Sequence, residues 1–232
     1  MSDHVTRRGF LGAASAAGGI LMAGTEQVRA GEEGDKSKIM AINCSQRSGM
    51  TTAAALRISL DAAKAVAPGT IETELIELAG KQLHAEVAAG AELADGVVDD
   101  FLPIAEKLSD PAVVGIIIGT PVYFSAMSSL CKEFIERLIV FRKNEFALSD
   151  IVAGVLAVGG TRNGGQEAAI MSVQATLFCQ EMIVVGAGRK TSRFGACIWA
   201  GAEGGLEESI NRAAAEDLGR RVAKVALSVA AS

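Results

Sequence analysis

The chain has 232 residues, half of them hydrophobic and 4% aromatic, with a formal net charge of −5. That excludes a disordered chain, which needs few apolar residues and high net charge, and a disulfide scaffold, for which four cysteines are too few at this length. The acidic balance, with one Trp, one Tyr and eight Phe, leaves neither the clustered Lys and Arg that a phosphate backbone needs nor a base-stacking platform, so no nucleic-acid partner is expected.

The N-terminus reads Thr6-Arg7-Arg8-Gly9-Phe10-Leu11, followed by a weakly apolar Ala/Gly-rich run over residues 10–24 and then Val28-Arg29-Ala30. A charged stretch, a short apolar run and a small-residue cleavage site in that order make a secretory signal. The paired arginines resemble the twin-arginine export motif. The alternative is an ordinary amphipathic helix with a chance Arg pair. The run is too short and too rich in glycine for a stable membrane span. Residues 1–30 are therefore expected to be an export signal cleaved after Ala30, residues 31–37 a flexible lead-in, and residues 38–232 a single domain delivered to the periplasm. That route carries proteins already folded, often around a cofactor.

Residues 38–43 form a short apolar run that reads as a first strand, and Thr51 or Thr52 then caps a helix to about residue 66. Residues 70–76 alternate in the manner of a strand near a sheet edge. Residues 79–96 are irregular, and His84 there reads as a loop residue. Val97, Phe101, Ile104 and Leu108 make the stripe of an amphipathic helix. Residues 113–118 and 151–158 are continuously apolar, as parallel strands buried on both faces are. A helix carrying Leu130, Phe134, Leu138 and Phe141 lies between them. A helix over 166–178, a strand over 182–185 and a last helix over about 204–229 complete the chain. Five strands, each followed by a helix, imply βαβ units, a parallel sheet and a three-layer α/β sandwich.

In such sheets ligands bind beyond the carboxyl ends of the strands. The first of these ends is Cys44-Ser45-Gln46-Arg47-Ser48-Gly49-Met50-Thr51-Thr52, a hydroxyl-rich loop before a helix. It reads either as a phosphate cradle or as plain capping by Ser48 and Thr51. The second, Gly119-Thr120-Pro121-Val122-Tyr123-Phe124-Ser125-Ala126-Met127, holds the only Tyr. Its rings either line a flat heterocycle or cover the core edge. The third, Gly159-Gly160-Thr161-Arg162-Asn163-Gly164-Gly165, lets backbone N–H groups approach a ligand, or is a flexible connection. Neither a Walker A nor a Rossmann glycine spacing is present. No Ser-His-Asp set or metal-ligand pattern occurs, so no metal site is expected.

Taken together, the three loops resemble those of the flavodoxin-like NAD(P)H-dependent FMN reductases, and most nearly the iron–sulfur-flavoprotein-like branch. The family's Gly-Ser-Pro-Arg stretch is matched by Cys44-Ser45-Gln46-Arg47, its Ser-Pro-Val-Tyr-Phe by Thr120-Pro121-Val122-Tyr123-Phe124, and its Lys-x-Phe-x-Asp/Glu-Arg helix by Lys132, Phe134 and Arg137. The resemblance spans residues 39–185 and implies a flavodoxin-like sheet of order 2-1-3-4-5. It also implies that Ser45, Arg47, Ser48, Gly49, Met50, Thr51 and Thr52 hold the FMN phosphate. Pro121, Val122, Tyr123, Phe124 and Ser125 would run along the ribityl chain and ring, and Gly160, Thr161, Arg162, Gly164 and Gly165 would face the other ring edge. The branch's compact Cys cluster is missing, since residues 79–96 contain no Cys, so flavin without an iron–sulfur cluster is expected. Cys44, Cys131, Cys179 and Cys197 are scattered and read as buried small apolar residues. Export would permit a disulfide, but the sequence gives no pairing.

The implied activity is an FMN-dependent oxidoreductase passing electrons from NAD(P)H or another donor to a quinone-like or other small acceptor. The flavin supplies the chemistry, so no catalytic residue is named. Because an exported protein meets little NAD(P)H, an electron-transfer flavoprotein docking to a redox partner protein is the second reading. A binding module that kept the fold and lost the flavin is the third. Small-residue helix faces make a homodimer or homotetramer the expected assembly.

Overall fold

The computed structural model describes residues 36–231 other than 192, 202 and 204. The export signal expected over residues 1–30, and all but the last two residues of the lead-in, lie outside the described residues. Ser37 already belongs to the first strand.

The elements in chain order are β1 (Ser37–Asn43), α1 (Thr51–Lys64), β2 (Ile71–Glu77), α2 (Phe101–Leu108), β3 (Val113–Pro121), α3 (Ser129–Arg137), α4 (Ile139–Lys143), β4 (Val152–Gly159), α5 (Gln166–Phe178), β5 (Ile183–Val185), β6 (Ala196–Trp199) and α6 (Ser209–Ala230). The strands form one parallel sheet of order β2-β1-β3-β4-β5, with β6 also paired to β4. This is the flavodoxin-like order.

Alternate residues of the inner strands face opposite layers. Met40, Ile42, Ile116, Ile118 and Val155 pack with Phe101, Ile104, Phe134, Ile170 and Val173 from α2, α3 and α5. Ile39, Ala41, Ile117, Val152 and Leu156 pack with Leu56, Leu60, Leu218 and Val222 from α1 and α6. Burial on both faces is why these strands read as unbroken apolar runs.

Several expectations are corrected. Six strands are present among the described residues rather than five, because the fifth position in the sheet is shared. β5 covers Val152 to Gly154 of β4, and β6 covers Leu156 to Gly159. The chain leaves the sheet between them and returns. A Cβ on Gly186 would lie 1.8 Å from the Arg193 carbonyl oxygen, so only glycine permits that crossing. The helix expected from Val97 starts at Phe101, with Val97 and Val98 exposed. The helix expected through Phe141 is split at Leu138 into α3 and α4. The last helix begins at Ser209 and leaves Ile210 exposed. Of the four cysteines, Cys44 and Cys131 are buried, whereas Cys179, which caps α5 at its solvent side, is exposed and Cys197 is half-buried.

The irregular stretch after β2 contains only a short 3-10 turn, Ala85–Ala89. It is fastened by Arg137, whose guanidinium is buried. Arg137 pairs with both Asp99 oxygens at 3.1 and 2.7 Å, donates to the Leu83 carbonyl, and lies 4.6 Å from the centre of the Phe101 ring. A buried cation needs such partners, because an unpaired charge in low dielectric is very costly; only its Nε is left without one.

Candidate functional site

The three loops meet at the carboxyl end of the sheet. The first loop joins the second where the Ser128 hydroxyl donates to the Cys44 carbonyl at 2.8 Å and the Gln46 amide donates to the Ser129 hydroxyl at 3.3 Å. The second meets the third where Ser125 packs on Gly165, since a Cβ there would lie 2.6 Å from Ser125 Oγ. The Val122 N–H also donates to the Val158 carbonyl at 2.9 Å, tying the second loop to the end of β4. Of the seventeen residues singled out from sequence, Pro121 ends β3 and the other sixteen lie in these three loops or the helix turn that follows the first.

Around the first loop, Ser45 and Thr52 are buried, Thr51 is half-buried, and Arg47, Ser48, Gly49 and Met50 are exposed. The expected capping by Ser48 and Thr51 does not occur. The N-cap of α1 is Met50, with no side-chain hydrogen bond, so the positive end of the helix is left to other partners. The Ser45 hydroxyl is used within the turn, accepting from the Arg47 N–H and donating to its carbonyl, each at 3.1 Å.

Ser48 and Gly49 face a residue that the sequence did not single out. One oxygen of Glu77, at the end of β2, accepts from the Ser48 hydroxyl at 2.7 Å, the Gly49 N–H at 3.2 Å and the Asn43 amide at 3.2 Å. The other accepts from Arg57 of α1 at 3.2 Å. Burial pushes the Glu77 carboxyl up, but the hydrogen bonds from Ser48, Gly49 and Asn43 and the Arg57 charge together hold it below its usual value. No sequence signal marks Glu77, which becomes part of the site only through the parallel register that sets it beside Asn43.

The second loop makes a two-residue tight turn. Tyr123 and Ala126 exchange N–H···O bonds, both at 3.0 Å. Phe124 and Ser125 between them have φ of 50° and 59°. Both central residues are thus left-handed, a geometry that ordinarily takes Asn-Gly. Tyr123 is exposed and Phe124 fully so, while Pro121 is buried at the end of β3 and Val122 half-buried. The reading in which both rings cover the core edge is therefore corrected, because the turn carries them outward.

The third loop is fastened rather than free. Gln166, buried at the start of α5, accepts from the Gly164 N–H at 2.8 Å and donates to the Thr161 carbonyl at 2.7 Å. Gly160, Thr161 and Arg162 are exposed, and Gly164 and Gly165 half-buried. A broad groove of about 1090 Å3 opens beside this loop, lined by Arg162, Met171, Arg193, Phe194 and Trp199 among others, and by no residue of the first two loops. Among the described residues no three His, Cys, Asp or Glu side chains are grouped to hold a metal ion.

A doubly wound parallel sheet with an uncapped helix, an aromatic turn and a glycine-rich loop at its carboxyl ends defines the flavodoxin-like class. Residues 37–194 match the NADPH-dependent FMN reductase family, and the chain belongs to that family of flavin-dependent oxidoreductases. It is 34% identical over 192 residues to an iron-sulfur flavoprotein of Methanocaldococcus jannaschii, covering 81% of this chain and 96% of that protein. It is also 34% identical over 169 residues to an iron-sulfur flavoprotein of Methanosarcina thermophila, covering 72% of this chain and 84% of that one. In fold it is similar to an oxidoreductase from Corynebacterium diphtheriae, with a TM-score of 0.64 at 17% identity, covering 84% of this chain and 98% of that chain.

The residues present fit the family's phosphorylated flavin. The uncapped start of α1 offers N–H donors beside the Arg47, Thr51 and Thr52 side chains, and the exposed Tyr123–Ser125 turn has Gly165 at its back.

Proposed function

We propose that the protein is an FMN-dependent oxidoreductase that passes electrons from NAD(P)H or another donor to a quinone-like or other small acceptor. The observation that carries this reading is the uncapped N-terminus of α1 standing behind the hydroxyl- and arginine-bearing loop. Helix N-termini favour anions through free N–H groups and the dipole.

Arg47, Thr51 and Thr52, with the first backbone N–H groups of α1, hold the phosphate, while Ser45, Ser48, Gly49 and Met50 shape the loop that presents them. Pro121 and Val122 flank the ribityl chain, and Tyr123, Phe124 and Ser125 shield one side of the ring. Gly160, Thr161, Arg162, Gly164 and Gly165 orient its far edge through main-chain donors. When bound, the flavin supplies two-electron chemistry, and the protein contributes position and electrostatics.

Several finer points belong to the same reading. The flavin is bound without an iron–sulfur cluster, because no cysteine lies between positions 45 and 130 and the segment after β2 is fastened by Arg137 instead. The chain is exported by the twin-arginine route to the periplasm, on the strength of Arg7, Arg8 and the small-residue run that follows. It assembles as a homodimer or homotetramer, because Met50, Tyr123 and Phe124 leave apolar surface at the mouth of the site. Among the described residues no helix is long and apolar enough to cross a membrane.

The full exposure of Phe124 together with the acidic balance of the chain supports a second reading, an electron-transfer flavoprotein that docks to a basic redox partner. Purification from the exported fraction, a visible absorbance spectrum and identification of the released flavin test the first reading. A colourless protein that stays colourless after FMN is added overturns it. Steady-state turnover with NADH or NADPH separates the reductase from the electron carrier.

A further inference from the structure

Cys44 follows the last residue of β1, and Cys131 lies in the first turn of α3. Both side chains are fully buried, and both belong to the cluster containing Ile42, Ile118, Leu130 and Phe134. One hydroxyl bridges their backbones. Ser128 Oγ donates to the Cys44 carbonyl at 2.8 Å and accepts from the Cys131 N–H at 3.1 Å. After burial, the neighbouring Cys131 thiol is what pushes the Cys44 thiol up. Among the described cysteines, Cys179 is exposed and Cys197 half-buried. Nothing in the core packing requires sulfur at both positions, since a small apolar side chain fills such a place equally well.

We propose that Cys44 and Cys131 are a disulfide site, at which a low-molecular-weight disulfide oxidises the pair and locks the first loop onto the helix that follows the second. The Cys44 thiolate attacks the small disulfide, breaking its S–S bond and releasing one thiol. The Cys131 thiolate then attacks the Cys44 sulfur of the mixed disulfide and releases the second. The two cysteine protons end on the two released thiols, and the protein loses two hydrogen atoms. Burial pushes the Cys44 thiol well above its usual value, so the closed protein reacts slowly. Exchange proceeds when the exposed stretch over residues 46–50 lifts and uncovers the residue that precedes Ser45. The bond closes a ring of roughly 90 residues, large enough for a marked loss of freedom in the unfolded chain. The pairing holds whether or not a flavin binds.

The test uses the full chain, reduced and unfolded, then refolded to equilibrium in a buffer of reduced and oxidised glutathione. Free thiols are alkylated, and the protein is digested without reduction and mapped by mass spectrometry. The expected result is a peptide linking Cys44 to Cys131, with alkylated Cys179 and Cys197. The oxidised form is expected to unfold about 10 °C above the reduced form, the order that a ring of this size implies for a chain of this length. That difference should vanish in both Cys44→Ala and Cys131→Ala. Alkylation of both Cys44 and Cys131 after refolding overturns the proposal. So does a different dominant pairing, or a linked form that unfolds no later than the reduced one.

Discussion

Phe124 is a large apolar side chain in full solvent, held in a backbone conformation that disfavours it. Left-handed geometry costs an L side chain roughly 1–2 kcal/mol, and Ser125 carries the same burden. The ring recovers nothing by burial, so within the isolated chain the turn is a net loss. Changing Phe124→Asn together with Ser125→Gly installs the pair that this turn favours while leaving the Tyr123–Ala126 bonds in place. The added glycine loses about 0.5–1 kcal/mol through its freer unfolded state. A net stabilisation of at least about 1 kcal/mol remains, which corresponds to a rise of at least about 2–4 °C in the unfolding midpoint for a chain of this size. Scanning calorimetry of the flavin-free protein measures it. The same variant should bind FMN about tenfold more weakly, because an aromatic neighbour contributes about 0.5–1.5 kcal/mol beyond its area. Stability and affinity therefore move in opposite directions, as expected where strain is kept for function. A midpoint that falls would show that the turn is not strained in solution or that Phe124 is covered there. A midpoint and an affinity that rise together would remove Phe124 from the flavin site.

Asp99→Ala strands a buried guanidinium and should destabilise the fold by about 3–5 kcal/mol in urea titration; a loss below about 1 kcal/mol would mean that Arg137 is sufficiently satisfied by Leu83 and Phe101. Glu77→Ala releases Ser48, Gly49, Asn43 and Arg57 at once and should raise the FMN dissociation constant about tenfold, or roughly 1.4 kcal/mol, with little change for riboflavin. Fluorescence quenching measures both flavins, and equal weakening would refute a role confined to the phosphate loop. The hydrogen bond from Lys38, and then that from the Ala112 N–H, hold the Asp110 carboxyl below its ordinary value. Its contribution is therefore present above the unfolded value near 4 and disappears as pH falls through the lower folded one. Both partners are partly exposed and screened, so Asp110→Asn should lower the midpoint only slightly at neutral pH, with the gap closing in acid; a gap that persists in acid would refute the pairing as its source.

The parts of this fold that were legible in sequence are those whose composition reflects their own surroundings. The inner stretches of β1, β3 and β4 are continuously apolar because, as in β1, Met40 and Ile42 enter one layer while Ile39 and Ala41 enter the other. β6 escaped because four residues, Ala196–Trp199, carry no period of their own, and they become a strand only by pairing with the far half of β4. The site divides along the same line. Residues that line the loops announced themselves, since hydroxyls, glycines and aromatic rings are unusual where a buried strand ends. Residues that brace the loops did not. Glu77 is an ordinary acidic residue on an edge strand until the parallel register sets it beside Asn43, within reach of Ser48 and Gly49. Gln166 reads as the first residue of a helix until its amide folds back on Gly164 and Thr161. The same holds for Cys44 and Cys131, which are brought together only because Ser128, the cap of α3, bonds to both backbones. Local composition therefore identifies what the loops offer a ligand, whereas what holds them in place depends on contacts between residues distant in the chain. Substitutions at Glu77 and Gln166 are accordingly the ones that distinguish a site preset by its scaffold from one that is merely suitably composed.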